Sequence, residues 1–299
     1  MERIFEYMID SSQDGEKIGN YLRGKGYSRH ILRHLKETPE GILRNGEPAF
    51  ATMRLKTGDA LTIVLQETES SQAIIPCPLS FAIIYEDQDL LVVNKPADMP
   101  IHPSFQNHGN TLADALTWHY SQQNISFVYR CINRLDRDTT GLVIVAKHML
   151  SASILSHMVA QRKIHREYLA IVKGITPISG TIRVPIGRKP DSAILRQPDP
   201  QNGEPAVTHF TRLETRDGYS LVSLNLETGR THQIRVHMGY LGYPLIGDYL
   251  YNPDYERIKR QALHSHRLSF EHPITGQPME FTAPLPEDMV KAFFRESLP

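Results

Sequence analysis

Cysteine is nearly missing from this chain: Cys77 and Cys131 are its only two, and neither belongs to a CxxC pair. That usage argues against a zinc finger and suits a reducing cytoplasm. No apolar run approaches the ~20 residues needed to span a bilayer, and the opening "MERIFEYMID" holds no long apolar stretch. Neither a membrane span nor a secretory signal is therefore expected. Repeats and low-complexity tracts are absent, as are GxGxxG, Walker, GxSxG and HExxH sequences, so nothing in the chain asks for a nucleotide cofactor. Net charge is absent too, because 33 Lys/Arg balance 33 Asp/Glu. What is present is an ordinary globular composition, 40% hydrophobic and 22% charged over 299 residues, with room for a sizeable core and more than one domain.

The zero balance hides an uneven distribution. From Gly15 to Lys56 there are nine Lys/Arg against four Asp/Glu, and from Ile125 to Pro190 eleven against three. Two basic stretches in an acidic remainder are either solvated surfaces or the footprint of docked phosphates. In the first, "GEKIGNYLRGKG" reads as a short helix stopped by Gly24 and Gly26. Ser28 then caps "RHILRHLKE", which has Ile31, Leu32 and Leu35 on one face and Arg29, Arg33 and Lys36 on the other. Asn45-Gly46 signals a hairpin, "DALTIVL" a strand, and "QETESSQAIIPCP" a linker. Beyond it, strands are expected at "LLVVNK", "GLVIVAK", "EYLAIVKG", "VTHFTRLE" and "YSLVSLNLE". Helices are expected at "TLADALTWHY", "MLSASILSHMVAQ" and "THQIRVHMGYLG". Without a regular βαβ period, the expected class is α+β with a largely antiparallel sheet, preceded by a small domain: residues 1–70, then 71–299.

Three stretches hold polar residues that neither core nor surface explains. In "NRLDRDTTGLVIVAKH", Asp136 precedes an apolar strand among Arg134 and Arg137. It is either a turn acid or a half-buried carboxylate held by an arginine, whereas Asp138, before two threonines, suits local capping. In "ETGRTHQIRVHMGYLG", Thr231 is placed to cap a helix whose Ile234, Met238 and Leu241 form a core face. Arg235 and His232 lie off that line, and an arginine there can reach a carboxylate bidentately. His232 and His237 are five apart rather than four, so no metal site is expected. In "RKIHREYLAIVKG", Tyr168 opens a strand beside Arg166 and Lys163, as core packing or as a stacking platform for a base.

Together and in this order, these stretches resemble the RluA-type pseudouridine synthases, which isomerise uridine within ribosomal or transfer RNA. The match runs roughly from Ile83 to Pro286 and includes "LLVVNKPADMPIHPS" and "LHSHRLSFEHPITGQPMEFTAPLP". From Gly15 to Leu65 the chain is similar, more weakly, to a small helix–helix–hairpin RNA-binding domain. The resemblance implies a pseudouridine synthase fold, no cofactor and RNA as partner; no membrane is expected, the cytoplasm is the expected compartment, and the sequence leaves the oligomeric state open, with a monomer favoured. It implies Asp136 as the catalytic aspartate, Arg235 as its paired arginine, Tyr168 against the target uracil and Arg134 filling the gap left by the flipped base. Lys95, His102, Arg137, Arg230, His232, Arg29 and Arg33 are the further expected RNA contacts. Asn133 departs from the pattern, standing where the family usually has histidine. A non-catalytic RNA-binding protein is the alternative; it would have no use for an acid among arginines. A metal-dependent hydrolase would need ligand spacing that His232, His264 and His266 do not offer, and a retaining glycosidase a second carboxylate ~5 Å from the first.

Overall fold

The computed structural model describes residues 1–71, 74–104 and 108–294. A small sheet domain comes first. Strand β1 (Glu2–Met8) precedes helices α1 (Ile18–Gly24) and α2 (Arg29–Glu37), strands β2 (Ile42–Arg44) and β3 (Glu47–Pro48), and the long β4 (Ala60–Gln66). The four strands run β1-β4-β2-β3, all antiparallel. Strand β1 was not anticipated, because "ERIFEYM" alternates charge with apolar residues and makes sense as a strand only once β4 lies against it. The Ser28 hydroxyl accepts from Ile31 N–H at 3.3 Å and caps α2 as expected, while Asn45 and Gly46 turn the hairpin with φ of 55° and 82°. Ile31 and Leu35 of α2 are buried against β4, each worth ~1.5–3 kcal/mol of transfer free energy. Arg29 and Arg33 stay exposed.

The main unit is built on a ten-stranded sheet. In chain order it uses β5 (Ala82–Glu86), β6 (Leu90–Lys95), helix α3 (Leu112–Ser121), β7 (Arg130–Cys131), β8 (Thr140–Ala146) and helix α4 (Met149–Ala160). There follow β9 (His165–Lys173), β10 (Ser179–Ile182), a separate hairpin β11 (Ile186–Arg188) and β12 (Arg196–Pro198), then β13 (Thr208–Arg216) and β14 (Tyr219–Leu226). Helix α5 (Gln233–Tyr240), β15 (Leu263–Glu271), β16 (Pro278–Thr282) and α6 (Glu287–Phe294) complete it. The order β10-β13-β14-β9-β15-β8-β6-β5 has a single parallel pairing, β15 with β8; β16 adds to β15 and β7 to β8. A mixed, largely antiparallel α+β architecture is thus observed.

The parallel pair positions the site. It aligns Thr140 with His264 and Gly141 with Ser265, so both strands begin at the same edge of the sheet. Gly141 has φ of 111°, and a Cβ there would lie 2.2 Å from the Ser265 carbonyl oxygen, so only glycine lets the two backbones approach. The expected linker is strapped down: the Ser70 and Ser71 hydroxyls accept from Phe127 and Tyr129 N–H, each at 3.1 Å.

Candidate active site

The loop carrying Asp136 is held from three sides. Asn133 is buried, its side-chain amide accepting from Ile144 N–H at 2.7 Å and donating to Leu142 C=O at 3.1 Å. The side chain therefore pairs with β8 as a neighbouring strand would, which gives the departure from histidine a structural use. Lys95 is wholly buried and donates to the carbonyls of Pro96 (2.7 Å) and Arg137 (2.8 Å), clamping the loop just past Asp136. Burial lowers its pKa to about 7, against the pull of Asp138 and Asp136. The expectation that Lys95 contacts RNA is thus corrected, because its ammonium faces protein on all sides. Asp138, expected to cap its own turn, instead accepts from Asp98 N–H at 3.2 Å on another loop and pairs with Arg137 at 3.1 Å.

Asp136 itself is partly open, with 26% of its side chain exposed. Arg235 donates to its Oδ2 from Nη1 at 2.9 Å, yet Arg235 is only 1% exposed. A guanidinium that deep needs more than one half-exposed acid. The structure supplies Asp248, also 1% exposed, which takes Nε and Nη2 bidentately, both at 2.7 Å. The bidentate partner is therefore Asp248, not Asp136. Asp248 also accepts from Leu250 and Tyr251 N–H, and Tyr249 and Tyr251 lie over the guanidinium at 5.5 and 5.1 Å. Burial alone would favour losing the proton, but the Asp248 hydrogen bonds and the charge of Asp136 hold Arg235 above its ordinary value. Asp248 escaped the sequence reading, although it follows in "YPLIGD" only six residues past the quoted arginine stretch; the burial of Arg235 is what calls for a second counter-ion.

Helix α5 begins differently from expectation. Thr231 makes no cap. His232 takes a left-handed backbone (φ 58°) without a side-chain cap, and the Gln233 side chain closes the start by accepting from Arg230 N–H and the Thr228 hydroxyl. Ile234 and Met238 are core as expected, whereas Leu241 lies past the helix end and is exposed. The turn carries His232 back over the pocket: its Nε2 is 3.9 Å from Asp136 Oδ2, and its Nδ1 meets the Tyr251 hydroxyl at 2.9 Å. Burial lowers the His232 pKa, so it is neutral at pH 7.

Tyr168 lies inside β9 rather than at its start, paired with Ser265 and Leu224. It is buried and lines the same pocket as Asp136, Arg134, Arg230, His232 and Arg235. Burial raises its pKa, so the hydroxyl keeps its proton at neutral pH. Arg134 is exposed over this pocket and has no hydrogen-bond or ion-pair partner among the described residues. Arg230 pairs with Glu204 and donates to Pro205 C=O at 3.1 Å. His102 is exposed and set edge-on to Tyr129 at 5.1 Å. Arg137 is half-exposed, tied to Asp138 and Asp98. Arg29 and Arg33 lie away from these residues, on the first domain. Among the described residues, the one group of histidine and acid side chains with ligand-like proximity is Asp87, Asp89 and His272. His272 bonds Asp87 at 2.8 Å, and Asp89 takes Arg3 and His148.

A loop carboxylate under a buried arginine, with Tyr168 and Arg134 lining the same pocket, could serve chemistry on a nucleic-acid base. Residues 89–240 match the family described as RNA pseudouridylate synthase. An uncharacterised RNA pseudouridine synthase of Bacillus subtilis is 42% identical over 275 residues, covering 92% of this chain and 97% of that protein. Ribosomal large subunit pseudouridine synthase D of Haemophilus influenzae is 41% identical, covering 95% and 92%. The solved structure of human RNA pseudouridylate synthase domain containing 1 superposes with a TM-score of 0.58 at 30% identity, covering 69% of this chain and 83% of that one. The chain belongs to the RluA-type RNA pseudouridine synthase family, and its activity is the isomerisation of uridine to pseudouridine in RNA. No helix among the described residues is long and apolar enough to cross a membrane.

Proposed function

We propose that Asp136 performs this isomerisation on specific uridines of structured ribosomal or transfer RNA in the cytoplasm, with residues 71–299 as the catalytic unit and residues 1–70 as an RNA anchor. The observation that carries the assignment is the Asp136 carboxylate, open to the pocket and bonded at 2.9 Å to an otherwise buried Arg235. Large-subunit ribosomal RNA is the first target to test, since several relatives are ribosomal large subunit pseudouridine synthases.

The reaction breaks the bond between ribose C1′ and uracil N1, turns the base, and joins C1′ to C5; the C5 proton then leaves to solvent. A uridine stacked in RNA has to be extruded first, at a cost of a few kcal/mol. Arg134, at the pocket mouth and without a partner among the described residues, offsets part of that by occupying the gap. Asp136 acts on the ribose, as nucleophile or as base, with Arg235 supplying its counter-charge. Tyr168 stacks on the detached uracil, and its protonated hydroxyl can donate. Arg29 and Arg33 on α2 add sequence-independent attraction for phosphate.

The test uses RNA tritiated at uracil C5. Wild-type protein is expected to release the label without added metal or nucleotide. Asp136→Asn is expected to bind the RNA at least as well and release none. Release by the variant at the wild-type rate would remove Asp136 from the chemistry.

A further inference from the structure

Beside the uridine pocket, and separated from it by Arg134, Tyr168, Leu226 and Arg230, which line both, lies a cleft of about 460 Å³. Its remaining walls come from the end of α4, the start of β9 and the turn after β14, and they bring in Arg162 and Arg166. Four guanidiniums thus meet in one concavity. Among the described residues two acids pair with them: Glu204 binds Arg230, and Glu227 binds Arg162 at 2.9 Å while also serving His209. Arg166 is the conspicuous member. It leaves the strand two residues before Tyr168, its Nε is buried without a hydrogen-bond partner, and no acid pairs with it among the described residues.

Its head is also confined. A Cβ on Gly229 would lie 2.9 Å from Arg166 Nη1, so the glycine turn leaves the guanidinium just enough room to lie across the cleft. A partly buried cation without a counter-ion is costly unless something anionic arrives. The cleft also leads somewhere. Ala160 lines both it and a second cleft of about 740 Å³ between α4 and the α1–α2 turn, where Arg23 and Lys25 project from the first domain.

We infer that this cleft holds the RNA backbone flanking the extruded uridine, that Arg166 is the ligand of one phosphodiester there, and that the strand continues past Arg162 along the end of α4 towards the first domain. The inference rests on the isomerase reading of the neighbouring pocket. It assigns a role to Arg166, which the chemistry of the base does not need. A planar guanidinium in a confined slot suits the paired oxygens of a phosphate better than a base edge.

The experiment uses the full-length protein with C5-tritiated transcripts of large-subunit ribosomal RNA and of bulk transfer RNA. Phosphates are randomly ethylated, bound RNA is separated from free, and the blocking positions are mapped against the uridine that is isomerised. With wild type, one or two phosphates adjacent to that uridine should block binding when ethylated. With Arg166→Gln those positions should stop mattering, and the slope of log affinity against log salt should become shallower by about 0.7, the value of one single-strand phosphate contact. Arg166→Lys should retain the slope, which a packing role would not explain. Arg162→Gln, at an exposed position, should shallow the slope without depending on how Arg166 packs. An unchanged slope and an unchanged ethylation pattern in Arg166→Gln would overturn the inference. Failure of wild type to release tritium from either RNA would instead overturn the isomerase reading, while the ethylation pattern would still decide whether Arg166 holds a phosphate.

Discussion

At the scale of single residues, the site is a short chain of charges, Asp136–Arg235–Asp248, with one end open and the other buried. Arg235→Leu leaves Asp248 as an uncompensated buried carboxylate, a loss of ~3–5 kcal/mol. The expected outcome is a markedly lower urea midpoint together with lost tritium release. Replacing Asp248 by Leu as well should restore much of the stability and none of the activity, and that split separates folding from chemistry. Tyr168→Phe keeps the stacking face and removes the hydroxyl; single-turnover isomerisation should fall ~10²-fold or more with little change in stability. Near-normal turnover would reduce Tyr168 to packing. Lys95 makes a prediction about pH. Its folded pKa of about 7 lies below its ordinary value, so between pH 7 and ~10 the unfolded chain binds more protons than the folded one. Stability from this group therefore rises with pH across that window, with a slope approaching ~1.4 kcal/mol per unit, and is flat below it. Lys95→Met should remove that rise, as read by denaturant unfolding from pH 6 to 10.

At the scale of elements, β8 is the rail on which the loop bearing Asp136 is mounted. One end of that rail is stitched by a side chain: Asn133 serves the N–H of Ile144 and the C=O of Leu142. Asn133→Ala would leave both buried groups unpaired, at ~1–3 kcal/mol each. A fall of several degrees in melting temperature is expected, with a larger fractional loss in turnover than in RNA affinity, because the loop moves while the basic surface stays. Equal losses in both would show that Asn133 supports the whole cleft and not the loop alone.

At the scale of the whole molecule, the first domain is bound to the second by packing as well as by chain. Leu150 of α4 is buried within the first domain's core, joined by Met149 and Ile154. Arg3 reaches Asp89 at 2.8 Å, and Glu67 pairs with Arg130 and accepts from Met149 N–H. A chain starting at Ser71 would expose Leu150, take Arg3 from Asp89 and leave Arg130 without Glu67, so it should unfold at lower urea than the full chain. The cleaner probe of the anchor is therefore Arg29→Gln with Arg33→Gln, both exposed. The double variant should lower the salt slope of RNA binding by about 1.4, twice the single-strand contact value, and leave single-turnover rates at saturating RNA unchanged. An unchanged slope would remove α2 from the RNA interface.

Much of this was legible in the chain itself, where the determinants are local. Ser28 caps α2 and Asn45-Gly46 turns the first hairpin because both signals act within four residues. The apolar run before Lys147 could only be a buried strand, and Arg235 stood out beside Asp136 through the motif order. What stayed hidden depends on partners distant in sequence. Strand β1 exists because β4, some sixty residues on, pairs with it. Lys95 reads as an exposed cation until the loop bearing Arg137 closes over it. Thr231 looked like a cap, but the left-handed His232 and the Gln233 side chain took that role. Asp248 became visible only when Arg235 proved too deeply buried for one acid. Composition and periodicity determined most of the elements, and the order of the motifs, through their resemblance to a known family, pointed to the class of chemistry. Which charges face each other, and which are left free for a phosphate, was decided by tertiary packing, because desolvation is set by what surrounds a group and not by what precedes it in the chain.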